Sequence, residues 1–515
     1  MFRSILQKSP EAKNETSRSN INLTGHFEPS VSLPLIRIDK LERALQSRSV
    51  SKDFQANAGA LGGSPLLTQS QRDITEPYRP AGYLELLRTN RNFRQLWLGQ
   101  VVSQMGDWFD TIALYTIILN LTGSGRNVGL LLVARFVPSF IFGPLSGVVA
   151  DRFSRRSIMI ISDLARAVVV LGFLLVRRAD QLWIVYVLTV LQLALSTFFE
   201  PAKTAVIPSI VADRELVSAN AISSVTWSVM LTLGAAIGGL ITGWFGTDVA
   251  FVLDALTFAL SAALIASVRF PRRPAREKRK LSIGRALGIT ETIEGARYVK
   301  HRPRVLALLL VKPAWGLGGG ILTLLAVFGE RIFPVGKSAA TGIGVLFAAR
   351  GIGTAIGPIV ARRISGEGAR RMQATIGVAF LIGGIFYIAF GTTKSFIVAL
   401  IVLGLAHTGG SILWVFSTVL LQRDVEDSFR GRVFAAELAL LTLTMAASNY
   451  FTGEMLDRFR ISPRLVTIGI GLLFLVPGIM WFVTRRWWDR GHEEHTEDPI
   501  RLGATVRAET ESTGI

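Results

Sequence analysis

The chain has 515 residues, with 56 Lys and Arg against 37 Asp and Glu; half of its residues are hydrophobic and 18% are charged. Soluble domains carry about 25% charged residues. Apolar runs of roughly 20 residues, each able to cross about 30 Å of hydrocarbon, recur here between residues 93 and 487, which excludes a soluble enzyme or a transcription factor. The absence of cysteine removes disulfides, thiolate metal sites and a Cys nucleophile.

The first 80 residues are rich in Ser, Asn, Gln and Pro and hold 11 Lys/Arg against 8 Asp/Glu with no sustained apolar period. Residues 1–80 therefore read as a disordered cytoplasmic tail, and no apolar segment after Met1 suggests a secretory signal peptide. Twelve spans are expected to follow, near 93–121, 127–150, 157–176, 181–200, 217–244, 249–268, 304–328, 341–362, 372–390, 395–420, 432–456 and 464–487. The implied division is an N-terminal six-helix bundle over 81–268, a basic cytoplasmic linker with a surface helix over 269–303, a C-terminal six-helix bundle over 304–487, and a cytoplasmic tail over 488–515. The expected fold class is an all-α polytopic membrane protein with twelve transmembrane helices in two pseudo-symmetric six-helix bundles.

The positive charge lies in short loops between spans, not on one face or arm with interleaved aromatics, so nucleic acid is not the expected partner. Alternate loops hold 24 Lys/Arg on one side (152–156, 203–214, 269–304, 362–371, 423–432) and 9 on the other. The positive-inside bias places the first set and both termini in the cytoplasm of a plasma (inner) membrane.

The halves repeat at a nearly constant offset. Ala134-Arg135 recurs as Ala349-Arg350, Gly143-Pro144 as Gly357-Pro358, Arg155-Arg156 as Arg370-Arg371, and Val211-x-Asp213 as Val425-x-Asp427. Four pairs in one order argue for a duplicated unit. Parallel repeats of this kind are a transporter architecture, with the substrate path between the halves.

After the second span comes Gly147-Val-Val-Ala-Asp151-Arg152-Phe-Ser-Arg155-Arg156. Gly147 is expected to let helices approach closely, and the three arginines to pair with Asp151 or with helix C-terminal carbonyls. This stretch resembles the loop motif of the major facilitator superfamily over about residues 85–487. Ser103-Gln-Met-Gly-Asp107-Trp108, Asp163-Leu-Ala-Arg166-Ala167, Arg214-Glu-Leu-x-x-Ala-Asn220-Ala221, Phe251-Val-Leu-Asp254-Ala255-Leu-Thr-Phe258 and Arg430-Gly-Arg-Val-Phe-Ala435 are similar to the branch with enterobactin-exporter-like and macrolide-efflux-like permeases. That resemblance implies export driven by a proton gradient, with Gly147, Asp151, Arg152, Arg155, Arg156, Asp163 and Arg166 forming a conformational latch. In the second half Gly147 maps to Ala361 and Asp151 to about Ser365, so the latch belongs to the first half. Span five carries Gly234, Gly238 and Gly239 where exporters of the superfamily have a G-P-x-x-G-G motif, with Ala235 in the proline's place.

Charges inside apolar spans cost several kcal/mol unless paired or facing water. Asp110, Asp107 and Glu437 are the proton-coupling candidates, Asp110 first because it lies deeper than Asp107. An Asp110–Arg135 structural ion pair is the competing reading. Trp108, Tyr115, Arg135, Lys312, Arg350, His407 and Trp414 are candidates to line a central cavity. Gly336-Lys337-Ser338 resembles the end of a phosphate loop, but Arg331 occupies the first glycine's place, and it is rejected. No metal-ligating or catalytic set appears, and no cofactor is expected. The expected partners are a small-molecule substrate, protons and the lipid bilayer, in a monomer. The expected function is proton-coupled efflux of a small amphiphilic molecule by alternating access, with lysolipid flipping or a non-transporting receptor as alternatives.

Overall fold

A computed structural model describes residues 81–270, 289–336, 338–366 and 368–488. The 1–80 tail, most of the basic linker and the C-terminal tail lie outside the described residues. Among the described residues there is no sheet, only an isolated bridge between Val335 and Ser338.

A short helix, α1 (Tyr83–Thr89), precedes α2 (Arg91–Thr122), α3 (Gly125–Arg152), α4 (Arg155–Gly172), α5 (Leu182–Ile210), α6 (Asp213–Phe245) and α7 (Thr247–Ala266). After the linker come α8 (Ile289–Lys300), α9 (Pro303–Gly316), α10 (Ile321–Arg331), α11 (Ala339–Ser365), α12 (Ala369–Thr392), α13 (Phe396–Asp424), α14 (Asp427–Asp457) and α15 (Pro463–Trp488). Eleven spans are long and apolar enough to cross a membrane, with α9 and α10 counted as one. The remaining pass, α2, has the length at 32 residues, but Gln100, Gln104, Asp107 and Asp110 dilute its apolar content. Large side chains on α4 and α5, among them Ile161, Val168, Leu171, Trp183 and Val187, are exposed, as a lipid-facing surface requires.

Serine and asparagine set several helix starts. Asn90 accepts from Phe93 N (3.0 Å), Ser124 from Asn127 N (3.1 Å) and Ser338 from Ala340 N (3.3 Å), satisfying amides that the first turn leaves free. Gly123, at φ 57°, ends α2 in the left-handed region, where glycine alone is unstrained.

The duplication is visible in the packing. α3 against α5 recurs as α11 against α13, α4 against α7 as α12 against α15, and α2 against α6 as α9 and α10 against α14. The seventh pass departs from a continuous helix: it breaks between Gly316 and Ile321. Ser448 of α14 bridges the break, accepting from Gly320 N at 2.9 Å and donating to Leu317 O. A Cβ on Gly318 would lie 1.8 Å from Phe474, so neighbouring helices occupy the room that side chains would need. Turn bonds within the break, Gly318 N to Trp315 O at 3.1 Å and Gly319 N to Gly316 O at 2.9 Å, act with Ser448 to satisfy its backbone, as membrane depth demands.

The halves meet through α6 with α11 and α3 with α14. Among the described residues their contacts run from mid-depth to the end opposite the linker. Gly239 faces Gly344 Cα, Gly243 faces Thr341 and Gly129 faces Asn449 O. Toward the linker end, Gly143, Gly147 and Gly431 have nothing within 4 Å of an added Cβ. The cleft is thus closed at the far end and open at the linker end.

Candidate functional site

Asp110 lies mid-way along α2 and is fully buried. Gln192 Nε2 of α5 donates to its Oδ2 at 3.1 Å, and Arg135 Nη1 of α3 stands 3.8 Å from the same oxygen. The other carboxylate oxygen, Oδ1, is buried with no hydrogen-bond partner. The ion pair weighed in the sequence therefore exists, and it leaves half of the carboxylate unsatisfied.

One turn away, Asp107 is 38% exposed and lies 3.9 Å from Arg166 Nη1. Arg166 is held by Asp163 on its own helix, and Ser261 Oγ donates to Asp163 Oδ2 at 2.7 Å. The guanidinium also lies over the rings of Phe258 (4.3 Å) and Phe199 (5.0 Å). Arg166 thereby joins α4 to α5, α7 and α2, a positioning role inside the N-terminal half. Asp254 of α7 is fully buried near Gly106 of α2, where an added Cβ would lie 2.2 Å from Asp254 Oδ1. Thr257 Oγ1 donates to that oxygen at 3.2 Å, while Oδ2 has no partner. The sequence placed Asp254 in a motif but not in the site.

The arginines after α3 settle on backbone. Arg155 donates to Ala205 O of α5, and Arg156 donates to Ala266 O, the last residue of α7. Arg152 is exposed, and the side chain of Asp151 lies outside the described residues. The close helix approach expected at Gly147 is absent, because the linker ends of the two halves stand apart. The glycines of α6 do bring helices together. A Cβ on Gly234 would lie 2.8 Å from Trp108, one on Gly238 3.0 Å from Trp108 O, and one on Gly239 2.8 Å from Gly344 Cα.

In the C-terminal half, Lys312 and Glu437 are not isolated charges: Lys312 Nζ donates to Glu437 Oε2 at 2.7 Å, with both side chains buried. The ammonium lies 4.8 Å from the Trp414 ring and 5.6 Å from that of Phe434, and Trp315 packs edge-on against Trp414. Glu437 Oε1 has no partner. His407 Nε2 is 3.4 Å from Tyr387 Oη, and its Nδ1 is 3.1 Å from Leu403 O, which is a packed and bonded histidine. Tyr115 stacks on Phe347 at 5.6 Å and Trp108 packs on the same ring at 5.8 Å. Phe347 lies one turn before Arg350, so aromatic surface from α2 and a cation from α11 meet where the halves join.

At the far end, Asp457 accepts from the backbone amides of Gly125 (3.3 Å) and Arg126 (2.9 Å) and from Ser124 Oγ. Arg126 Nε lies 2.6 Å from Glu454 Oε1, and Arg331 donates to Gly123 O. The sequence reading passed over this cluster because the residues sit in loops and last turns, where charge is ordinary.

Among the described residues no group of His, Asp and Glu is arranged to hold a metal ion. The site consists of ion pairs inside each half and an aromatic junction between them, open to one end only.

Known proteins resemble this chain in sequence and in fold. The chain is 26% identical over 406 residues to the uncharacterised MFS-type transporter YfiS of Bacillus subtilis, covering 77% of this chain and 92% of the relative. It is 24% identical over 398 residues to macrolide efflux protein A of Streptococcus pyogenes, covering 75% and 93%. In fold it is similar to a bacterial homologue of the human lysosomal transporter Spinster, crystallised inward-facing and unoccupied, with a TM-score of 0.63 at 16% identity over 78% of this chain and 98% of that one. The family model of the Major Facilitator Superfamily matches residues 96–436. With its duplicated six-helix halves, its efflux-related relatives and a match across most of its helical region, the chain belongs to the Major Facilitator Superfamily of transporters.

Proposed function

We propose that the chain is a proton-coupled exporter of a small amphiphilic molecule. It sits in the plasma membrane with the linker end and both termini in the cytoplasm and works by alternating access. The observation that carries this reading is Asp110: a fully buried carboxylate at mid-depth, shared between Arg135 and Gln192, with one oxygen unpartnered. A carboxylate that must sometimes exist without full charge compensation is a group that can take up and give back a proton. Protonation releases Arg135 and Gln192, which belong to α3 and α5, and α3 is one of the helices on which the halves meet. The far-end seal and the open linker end correspond to one of the two states that alternating access requires.

Efflux, and not uptake, is supported by the relatives, one of which is a macrolide efflux protein. Asp107 and Glu437 remain secondary coupling groups: Asp107 is 38% exposed, and Glu437 is bonded directly to Lys312 at 2.7 Å. The Arg155 and Arg156 cluster is assigned the latch of the linker end, exchanging carbonyl contacts for contacts with the opposite half when that end closes.

Inside-out vesicles with an acid interior and a pH-sensitive dye test this. A macrolide, tetraphenylphosphonium, a lysolipid and an aryl sulfonate are added singly to wild type and Asp110→Asn. The expected result is loss of the pH gradient with at least one compound in wild type and none in Asp110→Asn. Gradient loss that persists in Asp110→Asn moves the coupling away from this residue.

A further inference from the structure

Arg135 and Arg350 occupy matching positions in the two halves, and only the first has an acid. Arg135 has Asp110 at 3.8 Å. The same repeat offset carries Asp110 onto Leu325 of α10, which is fully buried. Two other cations at membrane depth are matched as well: Arg166 with Asp163 and Lys312 with Glu437. Among the described residues Arg350 has no ion pair. Its Nε is buried without a hydrogen-bond partner, and the titratable groups that reach it are Tyr115, Tyr387 and His407, none of them a carboxylate.

A guanidinium at membrane depth without a counter-ion is costly. It cannot neutralise itself by losing its proton, because arginine stays protonated in proteins. Nor is it buried for packing alone, since the side chain as a whole is only partly covered while its Nε is enclosed. With no protein acid in reach, the exposed part of the guanidinium is left to water from the open cleft, and a counter-ion for it arrives only with a ligand.

The surroundings fix the rest of that ligand. The Arg350 guanidinium lies 5.9 Å from the Phe347 ring, which carries Tyr115 and Trp108 on the N-terminal side. A planar fork of donors matches a carboxylate in bidentate fashion, and Trp108, which stays partly exposed while Phe347 and Tyr115 are buried, suits an apolar body of aryl or alkyl type. Lys312 does not compete for the anion, because Glu437 already holds it at 2.7 Å.

We infer that Arg350 is the receptor for the carboxylate of an amphiphilic organic anion, bound at the junction of the halves with its apolar part on the partly exposed Trp108. This assigns a substrate class and rests on the transporter reading above, but its test needs no transport. Binding to the purified full chain in phosphatidylcholine nanodiscs, which supply no anionic lipid, is measured by titration calorimetry with 4-phenylbutyrate, its neutral amide and 4-phenylbutylamine. Wild type is expected to bind the carboxylate at least tenfold more tightly than the amide, with the amine weakest. Arg350→Gln is expected to bring carboxylate and amide to within about twofold, and Arg350→Lys to keep part of the preference, since it keeps charge but loses the fork. Because the wild-type ratio is read without any variant, it stands even if Arg350→Gln folds poorly. No carboxylate preference in wild type, an undiminished one in Arg350→Gln, or tighter binding of the amine would overturn the assignment. Carboxylate binding through Arg350 in a chain that dissipates no pH gradient would uphold this inference while removing proton coupling.

Discussion

Asp457, the last residue of α14, caps the first turn of α3 across the two halves, accepting from the Arg126 amide at 2.9 Å. Helix N-termini favour a carboxylate through their free amides and the positive end of their dipole, so this contact ties far-end closure to one side chain. Glu454, a turn earlier, adds an ion pair to the Arg126 side chain at 2.6 Å.

Asp457→Asn is expected to weaken far-end closure by about 1 kcal/mol, or about fivefold in the closed-to-open ratio. Because the chain contains no cysteine, spin labels go cleanly onto Asn120→Cys and Phe459→Cys, one on each half at that end. Their distance distribution should shift toward longer separations in Asp457→Asn. An unchanged distribution means that the cap is incidental to the seal.

Gly344→Ala should act in the same direction by steric means. An added Cβ would lie 2.6 Å from Ala235 O and 2.7 Å from Gly239 Cα, and backbone cannot yield as a flexible side chain does. Gly147→Ala meets nothing within 4 Å and should change thermal stability of the far-end-closed form by less than about 0.5 kcal/mol. Transport should nonetheless slow in Gly147→Ala if the linker ends close on that residue. Equal effects of the two substitutions on the label distances would contradict the asymmetry of the cleft.

Lys312→Met strands the buried Glu437 carboxylate, and breaking such a pair by removing one partner costs about 3–5 kcal/mol. Lys312→Met/Glu437→Met removes both charges and should recover most of that loss. Thermal unfolding in detergent distinguishes the two, and additive effects of the single substitutions would show that the 2.7 Å contact contributes no coupling.

Much of this architecture is legible in the sequence because a bilayer imposes a length and a polarity on every pass, and duplication repeats its signals at one offset. The break in the seventh pass was hidden: Gly316, Gly318, Gly319 and Gly320 read equally well as a close-packing helix face, and only Phe474, Thr452 and Ser448 from other helices decide against it. Lys312 and Glu437 lie 125 positions apart, so neither reveals the other locally. The repeat held a usable signal, because α2 packs on α6 and its counterpart in the second half packs on α14. The solitude of Arg350 is legible only by carrying Asp110 across the repeat to Leu325. The Asp457 cap gave no signal, since an acid at the end of a helix is ordinary until its partner helix is known.

The proposed export cycle rests on a proton carried by Asp110. Proteoliposomes that report both uphill efflux and equilibrium exchange of one compound separate coupling from binding. Taking the compound that collapses the pH gradient in wild type, Asp110→Asn is expected to keep exchange within about threefold, because Asn preserves the shape beside Arg135 and Gln192, and to lose uphill efflux altogether. Uphill efflux that continues in Asp110→Asn at the wild-type level would contradict the account.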